Sequence, residues 1–143
     1  MTNSMTTTVS ARLNESTDSL LRLGMRADAV LTGIAGLAAL PMAGWLAELS
    51  GTTTTIEYTL AAFFIAYGVV VFGLAALPKL NVAGPVVIAA NLLYTVAAVA
   101  VVLTDVWTLT PAGVAVVLAT GVYTLAFADL QYIGWRRLRR ATA

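Results

Sequence analysis

Four long runs without a charged residue dominate the chain, separated by short polar joints. They are Ala29–Ala47, Tyr58–Pro78, Leu80–Thr104 and Val106–Ala128, of 19, 21, 25 and 23 residues. A helix needs about 20 apolar residues to cross ~30 Å of hydrocarbon. Lipid offers the backbone no hydrogen-bond partner, so spans of this length must be helical. The expected spans are approximately 27–48, 56–78, 82–104 and 110–135. The fold class that follows is an all-α membrane protein, an antiparallel four-helix transmembrane bundle in which spans joined by short connections pack as neighbours.

The ends read differently. Residues Met1 to about Glu15 are rich in Thr, Ser and Asn and lack apolar periodicity, so a disordered tail is expected over 1–17. Ser16-Thr17-Asp18-Ser19 supplies N-cap residue types before Leu20-Leu21-Arg22-Leu23, and 141–143 form a short second tail. At the joints, Thr54-Thr55-Ile56-Glu57 fits a capping box, and Thr110-Pro111 fits an N-cap followed by Pro at N1. Asn81 is expected to cap the third span, and Pro41 to kink the first. Ala29–Leu40 before Pro41-Met42-Ala43-Gly44 has some features of a signal peptide. The apolar run continues through Trp45, Leu46 and Ala47, which favours a retained helix.

Charge then orients the bundle. All eight basic residues lie on one side: Arg12, Arg22, Arg26, Lys79, Arg136, Arg137, Arg139 and Arg140. The other side carries Glu48, Glu57 and Asp105 and no base. The positive-inside rule therefore predicts cytoplasmic N and C termini in a multi-pass protein of the cell (plasma) membrane. Trp45, Tyr58 and Trp107 mark the outer interface, Tyr132 and Trp135 the inner one. The Arg136, Arg137, Arg139 and Arg140 run fits contact with anionic lipids of the cytoplasmic face, at ~1 kcal/mol per base.

Composition narrows the chemistry. The chain is 59% hydrophobic and 10% charged, with no Cys and no His. Disulfides, thiolate nucleophiles, Cys/His metal sites and the commonest general base are thereby excluded. No nucleophile–base spacing is visible, and neither a cofactor nor a metal is expected. Nothing beyond the Arg-rich end, which topology explains, points to nucleic acid.

Two groups of polar residues stand out by depth. Counting ~1.5 Å per residue from Trp45 and Trp135 places Asp28 and Asp129 in the inner leaflet, ~6–10 Å from the midplane, with Arg26 and Gln131 nearby. The same count places Tyr67, Asn91, Tyr94 and Tyr123 near the midplane, with Thr32 close by. An ionised intramembrane acid is costly, so both aspartates are expected to face the bundle and find partners. The first group reads as a structural tie or a proton or cation site, the second as interhelical hydrogen bonding or a ligand pocket. Small residues spaced by four, Ala35-Ala39-Ala43, Ala29-Gly33, Ala62-Ala66 and Ala115-Ala119, are candidate helix-packing rows.

The motifs Arg22, Arg26-x-Asp28-Ala29-Val30, Gly33-x-x-Gly36-Leu37, Ala90-Asn91-x-x-Tyr94 and Phe127-Ala128-Asp129-Leu130-Gln131-Tyr132-x-Gly134-x-Arg136-Arg137 resemble those of small actinobacterial integral membrane proteins, loosely DoxX-like. The resemblance covers about Leu20 to Arg140. It implies four helices, singles out Asp28, Asn91, Asp129 and Gln131, and implies no activity. Small multidrug exporters, another four-span comparison, rely on a carboxylate deep in the first helix. Here nothing acidic lies from Ala29 to Ala47, so an antiporter of that type is not expected. The functional expectation is a non-enzymatic membrane accessory or scaffold component, with a homo-oligomer or a membrane protein as partner. The alternative is a small transporter or lipophilic-ligand binder using Asp28 and Asp129.

Overall fold

The computed structural model describes the backbone from Thr2 to Ala143 and the side chains of residues 4, 5 and 17–143. Four helices make up the fold: α1 (Thr2–Ser50), α2 (Thr54–Ala75), α3 (Ala83–Thr104) and α4 (Pro111–Thr142). All four are long and apolar enough to cross a membrane, the make-up of a multi-pass membrane protein. Both termini and the α2–α3 connection lie at one end of the bundle, the basic end. The other two connections lie at the opposite end.

Helix boundaries correct several expectations. α1 runs back to Thr2, over the stretch expected to be a disordered tail. No Gly or Pro interrupts residues 2–23, so the helix propagates through Ser16–Ser19 rather than starting there. Pro41 lies inside the continuous α1. α2 ends at Ala75, short of Pro78. Its N-cap is Thr53, whose hydroxyl accepts from the Ile56 N–H at 3.2 Å, one residue before the expected box. The box's acid is used differently, since the Thr52 hydroxyl donates to Glu57. The N-cap position of α3 is Val82, which makes no side-chain cap hydrogen bond, so Asn81 does not cap the helix. Thr110 and Pro111 do open α4, the Thr110 hydroxyl accepting from the Gly113 N–H at 3.0 Å. α4 extends past 135 to Thr142, with Arg139 and Arg140 in its last turn, where positive charge offsets the helix dipole.

Packing order departs from chain order. α1 packs along α2 and α4, and α4 along α3, whereas consecutive α2 and α3 scarcely touch. The α1–α2 seam is backbone against backbone. A Cβ added at Gly68 would lie 2.7 Å from the Ala29 carbonyl oxygen and 3.0 Å from the Gly33 Cα. Gly36 meets Ala61 and Ile65 of α2 in the same way. The Ala29–Gly33 row therefore packs as expected, but Ala62, Ala66 and Ala115 face outward. α4 approaches α1 at Gly134, against the Leu21 backbone, and at Gly113, against Ser50.

The apolar core sits at the basic end. Leu21, Met25, Val71, Ala75, Leu80 and Val87 fill it, with Trp135 and Tyr67 packed against it. Arg22 fastens its edge. The guanidinium donates to the Ala75 and Leu77 carbonyls at 2.5 and 2.9 Å and pairs with Asp18 at 2.6 Å. It thus occupies carbonyls left open at the α2 C-terminus.

Candidate functional site

Directly above that core, one carboxylate gathers all four helices. Asp28 of α1 is fully buried. Its Oδ2 accepts from the Tyr67 hydroxyl of α2 at 2.9 Å, the Asn91 amide of α3 at 2.8 Å and the Gln131 amide of α4 at 3.0 Å. Its Oδ1 lies 3.1 Å from the Thr32 hydroxyl one turn along α1. Asn91 also donates to the Gln131 Oε1 at 3.0 Å, so its amide bridges both partners. Thr32 in turn meets the Tyr123 hydroxyl at 3.0 Å. Tyr123 lies 3.4 Å from the Asp28 carbonyl, closing a small ring.

Asp28 and Gln131 of one expected group and Tyr67, Asn91 and Tyr123 of the other are therefore one knot. Tyr67 lies eight residues, ~12 Å, before the end of α2, and Asn91 eight residues past the start of α3. Asp28 and Gln131 share that level. Trp135, one origin of the depth count, packs on the core, and α4 continues seven residues beyond it.

Half of the expected inner-leaflet cluster is absent from the knot. Arg26 and Asp129 are both exposed. Each sits two residues from a buried partner on its own helix, and i, i+2 positions do not share a face. No base contacts Asp28 among the described residues. Tyr94 joins a separate α3–α4 contact, donating to the Thr120 hydroxyl at 3.1 Å. Beside it Thr95, which sequence reasoning passed over, meets Thr124 at 2.7 Å and donates to the Gly121 carbonyl at 3.0 Å. The i, i+4 pair Thr120 and Thr124 was its available signal. Arg136, Arg137, Arg139 and Arg140 are all exposed at the basic end. Arg136 lies 5.8 Å over the Tyr132 ring and Arg139 5.0 Å over Trp135.

On the far side of the knot from the core, the bundle opens into a pocket, and Leu31, Ala35, Phe63, Val116 and Ala119 of its lining are themselves exposed. A cavity of about 400 Å³ touches all four helices. Its floor holds Thr32, Tyr67, Asn91 and Tyr123 of the polar layer. Its walls include Ala35 on α1, Phe63 and Phe64 on α2, and Val116 and Ala119 on α4. Phe64 and Tyr94, with ring centroids 5.8 Å apart, span the sparse α2–α3 contact. Although seven polar side chains border the cavity, its surface is almost wholly carbon. The polar atoms are turned into their own hydrogen bonds, and no buried side-chain N or O among the described residues lacks a partner. Such a space recognises shape and apolar surface rather than hydrogen-bonding groups.

Comparison with known proteins returns no family model, no curated protein and no solved structure that matches the chain. The described residues contain no group of His, Cys, Asp or Glu able to hold a metal.

Proposed function

We propose that this chain is a non-enzymatic plasma-membrane protein that binds a lipophilic molecule inside the bilayer, with both termini cytoplasmic. The observation that carries this reading is the carbon-lined cavity of about 400 Å³ lying level with the membrane-spanning segments. Its volume falls in the range of small-molecule pockets, and a chain or ring system seated there buries apolar surface against Phe63, Phe64 and Val116. The sparse α2–α3 contact offers passage from the lipid phase. The Asp28 knot holds the four helices in register around this space, and the exposed arginines anchor the basic end to anionic headgroups.

The test is saturable binding of diphenylhexatriene to the protein in nanodiscs, measured against empty nanodiscs. Saturation that disappears in Ala119→Phe, which fills the cavity from its wall, supports the reading. Purely linear partitioning, identical in both proteins, refutes it.

An accessory or scaffold role is the second reading. It is favoured by the outward-facing Ala62 and Ala66 on α2, a surface that admits close approach of another helix. A lone monomer on native gels after mild extraction would count against it.

A further inference from the structure

The cavity is stopped at the basic end of the bundle and open toward the other. On the basic side the Asp28 knot and the core of Leu21, Met25, Val71 and Val87 fill the interior. Toward the opposite end α2 and α3 scarcely touch, and the Phe64 and Tyr94 rings span the space between them. Phe63, in the cavity wall beside those rings, is exposed, so the wall is open there. Phe63 lies nine residues from the start of α2 and Tyr94 ten residues from the end of α3, ~14–15 Å in each case. That is half of the ~30 Å hydrocarbon thickness, the depth of one leaflet. A chain hung from the surface at that end reaches the knot with its tip.

The cavity has nothing to offer a headgroup. Both hydrogens of the Asn91 amide are engaged, on Asp28 and on Gln131. The Tyr67 hydroxyl donates to Asp28 and the Tyr94 hydroxyl to Thr120. A polar group brought inside would lose its water without gaining a partner, so it stays outside. The rim where it would then lie is acidic. Glu57 stands in the first turn of α2, and Asp105 is the residue that ends α3. The sequence holds no base between Arg26 and Lys79 or between Lys79 and Arg136, so no base on either connection at that end offsets them. Like charges set side by side reject a partner, so this rim disfavours a phosphate that carries net negative charge.

We propose that the cavity holds the far end of a hydrocarbon chain belonging to a lipid without net negative charge, whose headgroup stays outside between Glu57 and Asp105. This rests on the reading of the cavity as a lipophilic site. The chain passes between α2 and α3, lies against the carbon walls, and ends at the Asp28 knot. The two ends of the bundle thus differ in the lipids they accept: anionic headgroups at the exposed arginines, uncharged ones above the cavity.

The test uses two lipids with the same diazirine at the same chain end, glucosyl diacylglycerol and phosphatidylglycerol. Each is placed at the same low fraction in phosphatidylcholine nanodiscs holding the protein, and adducts are mapped on Tyr94 and Tyr123 of the cavity wall. The glucosyl lipid should give about fivefold more adducts there, on the scale of one like-charge contact at ~4 Å in water. Ala119→Phe should remove the adducts of both lipids. Asp105→Asn should bring the two lipids closer to equal labelling, and Asn suits the left-handed backbone at that position (φ 52°). Glu48→Gln, at an exposed position of α1 away from the α2–α3 gap, should leave the ratio unchanged. An equal shift in Glu48→Gln and Asp105→Asn overturns the placement of the headgroup. Equal labelling by the two lipids in wild type overturns the choice of lipid class. Saturable diphenylhexatriene binding with no cavity adducts from either lipid overturns the chain as occupant and leaves the lipophilic site standing. Linear diphenylhexatriene partitioning with no cavity adducts overturns both.

Discussion

The two halves of this bundle are built from the same four helices and packed in opposite ways. At the basic end the inward positions carry Leu21, Met25, Val71, Leu80 and Val87, and glycines bring backbones close enough for those side chains to interdigitate. Beyond the Asp28 knot α1 and α4 offer Thr32, Ala35, Ala119 and Thr124, and the aromatic rings of Phe63, Phe64 and Tyr94 opposite do not fill the space between them. Small side chains thus have two consequences. Opposite another helix's backbone, as at Gly33 and Gly68, they draw helices together. Opposite one another across a bundle axis they leave a void. α2 belongs to both cases, seamed to α1 through Gly68 and held off α3 by Phe64 against Tyr94.

The largest effect is expected from destroying the boundary between the halves. Asp28→Ala strands the donors of Tyr67, Asn91 and Gln131 and should cost about 3–5 kcal/mol, since each buried donor left unpaired costs ~1–3 kcal/mol. Asp28→Asn keeps an oxygen for those donors and should cost less, about 1–3 kcal/mol, for the one amide N–H left without an acceptor. Reversible unfolding in mixed detergent micelles measures both, and equal losses would mean that hydrogen bonding at this position does not hold the helices. Next comes the seam. Gly68→Val pushes a branched side chain into the Ala29 carbonyl and should cost about 2–3 kcal/mol by overpacking. The same unfolding assay reads it, and a neutral result would show that α1 and α2 are not in backbone contact. Filling the hollow half should behave differently. Ala119→Phe should change stability by less than about 1 kcal/mol, because the ring enters space already present. The smallest effect belongs to the residues that face away. Asp129→Asn and Arg26→Gln should each stay within about 0.5 kcal/mol of wild type, as exposed positions usually do. A loss of several kcal/mol at either would place it inside the bundle.

The number and class of the helices were legible in the sequence because lipid imposes a length on apolar runs and forbids unpaired backbone. The Thr110-Pro111 start was legible because its chemistry is local. The members of the knot were also legible one by one: Asp28, Asn91, Gln131, Tyr67 and Tyr123 all stood out as polar groups at depth. Their grouping was not, because depth was counted from tryptophans whose own positions depend on packing. Asp129 and Arg26 were drawn in by nearness along the chain, although a helix turns by ~200° over two residues and sends them outward. The cavity left no mark in any one helix. It arises from which small residues face each other across the bundle, and that depends on α2 and α3 standing apart despite the short connection between them.

Photolabelling most directly tests the claim that one half is closed and the other receives a guest. A diazirine-bearing hydrocarbon is activated with the protein in nanodiscs, and adducts are mapped by mass spectrometry with and without excess unlabelled competitor. Competitor-sensitive adducts are predicted on Leu31, Phe63, Tyr94 and Val116, with none on Met25, Val71 or Val87. Adducts confined to outward-facing side chains such as Val69, Leu93 and Val122, and insensitive to competitor, would contradict it.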